Sequence, residues 1–191
     1  MASSLHGFTQ LVRANLHASA EKRTGHAAID STGFDRDQPS RHYANRTNYR
    51  VRALKVTALV DVETLYITDI HSTTSKKHDA KIGPQVARRN ADDLRSLAAD
   101  RGYDAKAFRK ELRKNGVRPL IKHRIMNPLD HAHNARMDSD RHHQRSMLAT
   151  VFSSIKRTLG AAVRARSWWL EFREMLLKAT VYNLRRSVRY P

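Results

Sequence analysis

There is no cysteine among the 191 residues, so disulfides, thiolate zinc sites and cysteine nucleophiles are excluded, and any metal must sit on oxygen or imidazole ligands. Long apolar runs are missing too. None approaches the roughly 18 residues of a membrane span, and residues 1–20 lack the compact apolar stretch of a secretory leader. A cytoplasmic protein without a membrane partner is expected. Acidic residues are scarce: 18 Asp and Glu face 36 Lys and Arg, a formal net charge of +18. There is no internal repeat and no low-complexity tract.

The chain does contain enough apolar material for a core. With 40% hydrophobic and 28% charged residues it suits a folded protein better than a disordered tail, and its length fits one domain of ordinary size. The positive surplus makes a polyanion the natural partner, because cations that neutralise phosphates release condensed counterions. Nucleic acid is the first expectation; a basic ribosomal or membrane-surface protein is the plainer alternative.

Hydrophobic spacing organises the rest. Phe8, Leu11, Val12 and Leu16 predict a short amphipathic helix over residues 8–22. His26-Ala-Ala-Ile-Asp30 reads as a short strand ending in a carboxylate, and Ser31-Thr-Gly33 as a turn. Residues 48–60, with Leu54, Val56, Ala58 and Val60 on one side of the pleat, form an antiparallel hairpin with residues 65–70. A helix packed by Val86, Leu94 and Leu97 is predicted from Pro84 to Leu97. Ala98-Ala-Asp100 reads as a short buried strand, with Gly102 in the following turn. Next come a helix capped by Asp104, burying Phe108 and Leu112 and ending before Gly116, and an edge strand over 117–121 marked by Pro119. Residues 125–142 read as a polar loop, 143–159 as a helix closed by Gly160, and 168–188 as a last long helix.

Two carboxylates stand out in this layout. Phosphodiester chemistry with hard metal ions needs carboxylates from distant parts of the chain converging at strand ends, with room left for water and phosphate. Asp30 and Asp100 each follow a short apolar strand and precede a glycine-containing turn. The same placement also suits two aspartates that only cap turns.

A series of short segments bears on that choice. In order they are Ala28-Ile-Asp30-Ser-Thr-Gly-Phe34, Ser40-Arg-His-Tyr43, Ile67-Thr-Asp-Ile-His71, His78-Asp79 and Ala99-Asp100-Arg-Gly-Tyr-Asp104. Arg118-Pro-Leu-Ile-Lys122, Arg145-Ser-Met, Phe172-Arg-Glu174 and Tyr182-Asn183-Leu184 complete it. Each is weak alone, but in this order and spacing residues 26–186 resemble the catalytic domain of the DDE transposases of prokaryotic insertion sequences, members of the ribonuclease-H-like superfamily. The resemblance implies an α/β fold, a ribonuclease-H-like mixed sheet flanked by helices. The catalytic domain then occupies residues 26–191 and residues 1–25 form a helical lead-in. It implies that Asp30, on the first strand, and Asp100, after the fourth, hold catalytic Mg²⁺ or Mn²⁺. The implied activity is DNA transposition: hydrolysis at the transposon end, then attack of the freed 3′-hydroxyl on target DNA. The implied partner is double-stranded DNA, both transposon ends and target, and a homo-oligomer is possible.

In that family the third carboxylate is a Glu on a later helix, in a signature of Tyr, two residues, Arg, three residues, Glu, six residues, Lys. Arg145 and Lys156 match its cations, while His142 stands at the Tyr position and Ala149 at the Glu position. A methyl group cannot bind metal, so the resemblance implies chemistry slowed by roughly a hundred- to ten-thousand-fold. Glu171 and Glu174 are not expected to substitute. Family members also tend to carry an extra N-terminal region, so the chain reads as truncated as well as substituted. The competing reading is a non-catalytic DNA-binding relic or regulator of an insertion element.

Residues 143–191 hold ten Lys and Arg against two Glu. Lys156, Arg157, Arg164, Arg166, Arg185 and Arg186 are therefore candidates for phosphate contact, the alternative being a merely solvated helix face. Trp168 and Trp169 are expected to pack beneath the final helix rather than stack on bases. His131, His133, His142 and His143, irregularly spaced in a polar stretch, are expected to be solvated rather than metal-bound. Asp79 is expected to support a turn rather than bind metal.

Overall fold

A computed structural model of the chain describes residues 23–36, 52–74 and 78–189, together with Gln10, Leu16, His42, Arg46 and Thr47. The predicted lead-in helix and the start of the predicted second strand fall largely outside these residues. Leu16 is an exception: it is buried in the core.

The elements run β1 (His26–Asp35), β2 (Ala53–Asp61), β3 (Ile67–Thr73), α1 (Asp79–Arg89), β4 (Ser96–Ala99), α2 (Lys106–Lys114) and β5 (Arg118–Ile121). They continue with α3 (Pro128–Ala135), α4 (Ser139–His143), α5 (Met147–Leu159) and α6 (Trp168–Arg189). The five strands form one mixed sheet in the order β3-β2-β1-β4-β5. β1 pairs antiparallel with β2 and parallel with β4, and β4 pairs parallel with β5. β5 is an edge strand, where Pro119 removes no ladder hydrogen bond from a central partner. None of the described helices is long and apolar enough to cross a membrane.

Strand alternation divides the core in two. On one face Ala28 and Phe34 of β1 join Leu54, Val56, Ala58 and Val60 of β2 against Leu148, Val151 and Ile155 of α5 and Met175 and Ala179 of α6. The predicted one-sided set on β2 is thus the set that packs. On the other face Ala27, Ile29 and Leu97 meet Ile82 and Val86 of α1 and Phe108 and Leu112 of α2. Each large side chain buried in this way contributes roughly 1.5–3 kcal/mol of transfer free energy. Asn183 fastens α6 to β3: its side chain accepts from the Ile67 N–H at 2.9 Å and donates to the Ile67 carbonyl at 2.8 Å.

Four local expectations are corrected. Ser31 to Gly33 is not a turn but strand, because β2 offers partners along the whole length, Ser31 facing Thr57 and Gly33 facing Lys55. The helix expected from Pro84 to Leu97 is Asp79–Arg89 with Pro84 inside it. It stops where the Asn90 side chain donates to the Val86 carbonyl at 2.8 Å, and Leu97 then enters β4, since β1 and β5 both pair there. Asp104 does not cap α2; Ala105 holds that position, and Asp104 instead pairs with Arg109 and accepts from the Arg124 N–H. The polar loop at 125–142 contains α3 and α4. α3 starts with a reciprocal capping box between Asn127 and Asp130 and a proline in its first turn, a signal that hydrophobic periodicity does not carry.

Candidate functional site

Register places the two aspartates side by side. β1 and β4 are adjacent and parallel, and their last paired residues are Ile29 and Ala99, so Asp30 and Asp100 both come next. Ala28 and Ala98 lie in the core under α5 and α6. Alternation directs Asp30, two residues past Ala28, to that same face; Thr32, two further on, confirms it by accepting from Lys156 of α5 at 2.8 Å. β4 ends at Ala99, and Asp100 caps the short turn Arg101–Tyr103 by accepting from the Gly102 N–H. Gly102 packs closely on that carboxylate. A Cβ there would lie 2.7 Å from the Asp100 carboxylate oxygen.

The electrostatics are those of crowded carboxylates. Burial, first, pushes the Asp30 carboxyl above its ordinary value; the Ser31 N–H at 2.8 Å opposes this, the nearby Asp100 and Asp79 charges add to it, and Arg145 counteracts it. Arg145 sits in the turn just before α5. Along α5, Leu148, Val151, Phe152 and Ile155 fix the helix on the sheet, which leaves the stripe through Ala149 and Lys156 over the strand ends. Asp30, Ser31 and Thr32 of β1 and Ala149, Phe152, Ser153, Lys156 and Arg157 of α5 line a single open cleft. Lys156 also lies 5.2 Å above the Phe34 ring, which fixes its ammonium beside the cleft.

A polar network supports the pair from the opposite face. Ser31, pointing away from α5, donates to Asp79 at 2.6 Å and touches Thr57 at 2.8 Å and the Tyr103 hydroxyl at 3.0 Å. Tyr103 donates to the same Asp79 oxygen at 3.3 Å, and Lys55 pairs with it at 2.9 Å. Burial opposes ionisation of Asp79, but the hydrogen bonds from Ser31 and Lys55 outweigh it and hold the carboxyl below its ordinary value. Asp79 thus ties the residue after Asp30 to the turn after Asp100. Its expected supporting role acquires definite partners, none of them local in sequence.

Residues 21–184 match the family described as Transposase DDE domain. The chain belongs to that family. Among solved structures, the chain matches the cryo-EM structure of a piggyBac transposase synaptic complex with hairpin DNA at a TM-score of 0.55 and 9% identity. The match covers 88% of this chain and 48% of that one, so the chain spans about half its length. At this identity the likeness is one of fold, the ribonuclease-H-like mixed sheet flanked by helices. No curated protein matches the chain. Transposase DDE domains typically use a divalent metal; among the described residues no group of three or more His, Cys, Asp or Glu could hold one.

In this DDE domain the candidate DNA-contacting cations are dispersed. Lys156 and Arg157 line the cleft. Arg164 and Arg166 are exposed on the α5–α6 connection, which runs along the far end of β1 through an Asp35–Ala162 bridge. Arg186 donates to the Thr64 carbonyl at the β2–β3 turn, so it and Arg185 lie at the opposite end of the sheet from the cleft. Glu171 and Glu174 are committed elsewhere. Glu171 is buried against Arg36 at 2.7 Å, and Glu174 accepts from the Arg164 and Ala165 N–H groups at 2.8 and 2.9 Å.

Two expectations fail here. Trp168 and Trp169 are exposed rather than packed beneath α6: Trp168 meets the edge of Phe172, and Arg173 lies over Trp169. Nor are all four histidines solvated. His131 and His143 are exposed, but His142 is buried, because α4 turns it against β4 instead of outward. Neither of its ring nitrogens makes a well-formed hydrogen bond, although the ring lies by the Ala99 backbone.

Proposed function

We propose that this chain serves DNA transposition as a DDE domain that holds duplex DNA at the α5 cleft through Lys156 and Arg157, and that its own strand cleavage and transfer are impaired. The observation that carries this is the meeting of Asp30 and Asp100 at the ends of adjacent parallel strands, with Asp30 lining the cleft to which α5 presents Ala149.

The donor set fits a divalent ion in part. The Asp30 carboxyl is held above its ordinary value by burial and by the charge of Asp100, a penalty that a cation between the two would remove. Mg²⁺ is commonly bound by one or two carboxylates, with waters and substrate phosphates completing the shell, so Asp30 and Asp100 would hold it. When bound, such an ion polarises the phosphate and activates the attacking oxygen. Arg145 and Lys156 contribute positive charge at the cleft, and the Asp79 network keeps both strand ends in place. Ala149 supplies no third carboxylate, which leaves the reacting oxygen poorly positioned.

The test restores that group. In Ala149→Glu, the Mn²⁺ affinity measured by calorimetry should rise and Mn²⁺-dependent nicking of supercoiled plasmid should appear, both lost again on adding Asp30→Asn or Asp100→Asn. If Ala149→Glu leaves metal affinity and nicking at the wild-type level, while the wild type still binds duplex DNA, the chain is a DNA-binding module without a latent active site. That second reading is favoured by Ala149 itself.

A further inference from the structure

A second positive surface lies on the other side of the sheet from α5 and α6. α2 buries Phe108 and Leu112, so helical spacing turns Lys106, Lys110 and Arg113 to the solvent side, where all three are exposed. None of the three pairs with a described acid. The acids nearest in sequence are already engaged, Glu111 with Arg88 and Asp104 with Arg109. α3 packs opposite, and the groove between the helices has His123 and His133 in its lining, stacked 3.7 Å apart. It adjoins a further depression that shares Arg113 and His133 and adds Arg118 and Arg136. The depression has no carboxylate in its lining, and the groove has one, Asp130. It is already bonded by His123 at 3.0 Å and by the Met126 and Asn127 N–H groups.

Arg118 lies 3.9 Å from Asp138, but Lys106, Lys110, Arg113 and Arg136 pair with no described acid, and cations crowded in this way call for an anion. The crowding is felt inside the groove: burial and then the charge of Arg113 hold Arg109 below its ordinary value, and burial with His123, Arg109 and Arg113 does the same to His133. The row is too long for one small anion. Lys106 to Arg113 spans about 10 Å of helix, about three phosphates of one duplex strand, and Arg118 and Arg136 extend it. It also points at the cleft. Exposed Arg101 directly follows Asp100, and Arg124 donates to the Arg101 carbonyl at 3.3 Å, so both cations stand between the strand ends and the start of α2.

We infer that the α2–α3 groove is a second seat for the backbone of duplex DNA, gripping along its side a duplex whose reacting phosphate lies at Asp30 and Asp100. The inference rests on the DNA-handling reading above. Contacts of this type fix the position of the duplex without reading its sequence.

The experiment compares a 30-base-pair duplex binding to the wild type, to Lys106→Gln/Lys110→Gln/Arg113→Gln and to Lys156→Gln/Arg157→Gln, by fluorescence anisotropy at several KCl concentrations. Removing three phosphate contacts should weaken binding on the order of a hundredfold near 0.1 M KCl and flatten the slope of log K against log [KCl] by about 2–3. In the wild-type chain, where no substitution can disturb folding, bound duplex should protect Lys106 and Lys110 from acetylation. An unchanged slope in the folded α2 variant, or full acetylation of both lysines in the complex, overturns the groove. If the cleft variant alone loses affinity, the groove fails and the DNA reading stands; if the wild type does not bind duplex at all, both fall together.

Discussion

Asp30 carries its charge at a cost. Its folded-state pKa is raised from 3.8, by burial first and then by Asp100 and Asp79, so the ionised form is penalised in the native state and the penalty persists at every pH above that raised value. Asp30→Asn should therefore raise the melting temperature at pH 7, with the gain shrinking as pH falls through the raised pKa; a melting series from pH 7 to pH 3 checks it. His142 behaves in the opposite sense. Burial, with Lys122, Arg145 and His143 adding repulsion, lowers its pKa from 6.5 to about 4. Below pH 6.5 the unfolded chain takes up a proton that the native state refuses, so stability should decline from there towards pH 4 and then level off. His142→Tyr should flatten that interval in the same melting series. Gly102→Ala puts a methyl group 2.7 Å from the Asp100 oxygen. It should lower Mn²⁺ affinity roughly tenfold, one pKa-unit equivalent of binding free energy, with little change in thermal stability.

At the scale of elements, the site depends on how α5, α6 and α1 are fastened to the sheet. Besides its apolar face, α6 is pinned to β3 by a buried amide, Asn183, bonded to both backbone groups of Ile67. Asn183→Ala leaves those groups without that partner and should destabilise the protein by roughly 2 kcal/mol or more, read from urea unfolding. Glu174 restrains the α5–α6 connection through two backbone N–H groups. Such anchors, with the Arg36 pair of Glu171, commit both carboxylates to partners outside the α5 cleft. Helices with a clear apolar stripe, α5 and α6, were legible from periodicity; α3 was not, because a helix built on a capping box and a proline has no apolar face to announce it. The start of α1 was obscured by Pro84, a residue that usually opens a helix but here lies within one, beneath the contacts made by Ile82 and Val86.

At the scale of the whole molecule, a net charge of +18 repels itself in the folded state. Raising KCl from about 20 mM to about 300 mM, which shortens the screening length severalfold, should raise the melting temperature while weakening DNA binding. The two opposite responses to one variable separate self-repulsion from partner binding. The face that β2 buries was readable from its alternation, whereas the mixed sheet and the pairing of Asp30 with Asp100 were expected only from the resemblance to a family, and spacing alone ended β1 too early, at Asp30 instead of Asp35. The preference for a polyanion was readable too, since it needs only a count of charges. Which charges remain available was not readable. Glu171 could be assigned to Arg36, Asp79 to Ser31, and the row on α2 to the open groove only once residues far apart in the chain had been packed against one another. Local spacing specifies faces, whereas a carboxylate's partner, a tryptophan's exposure and the track of a positive surface depend on long-range packing that no short window of sequence contains.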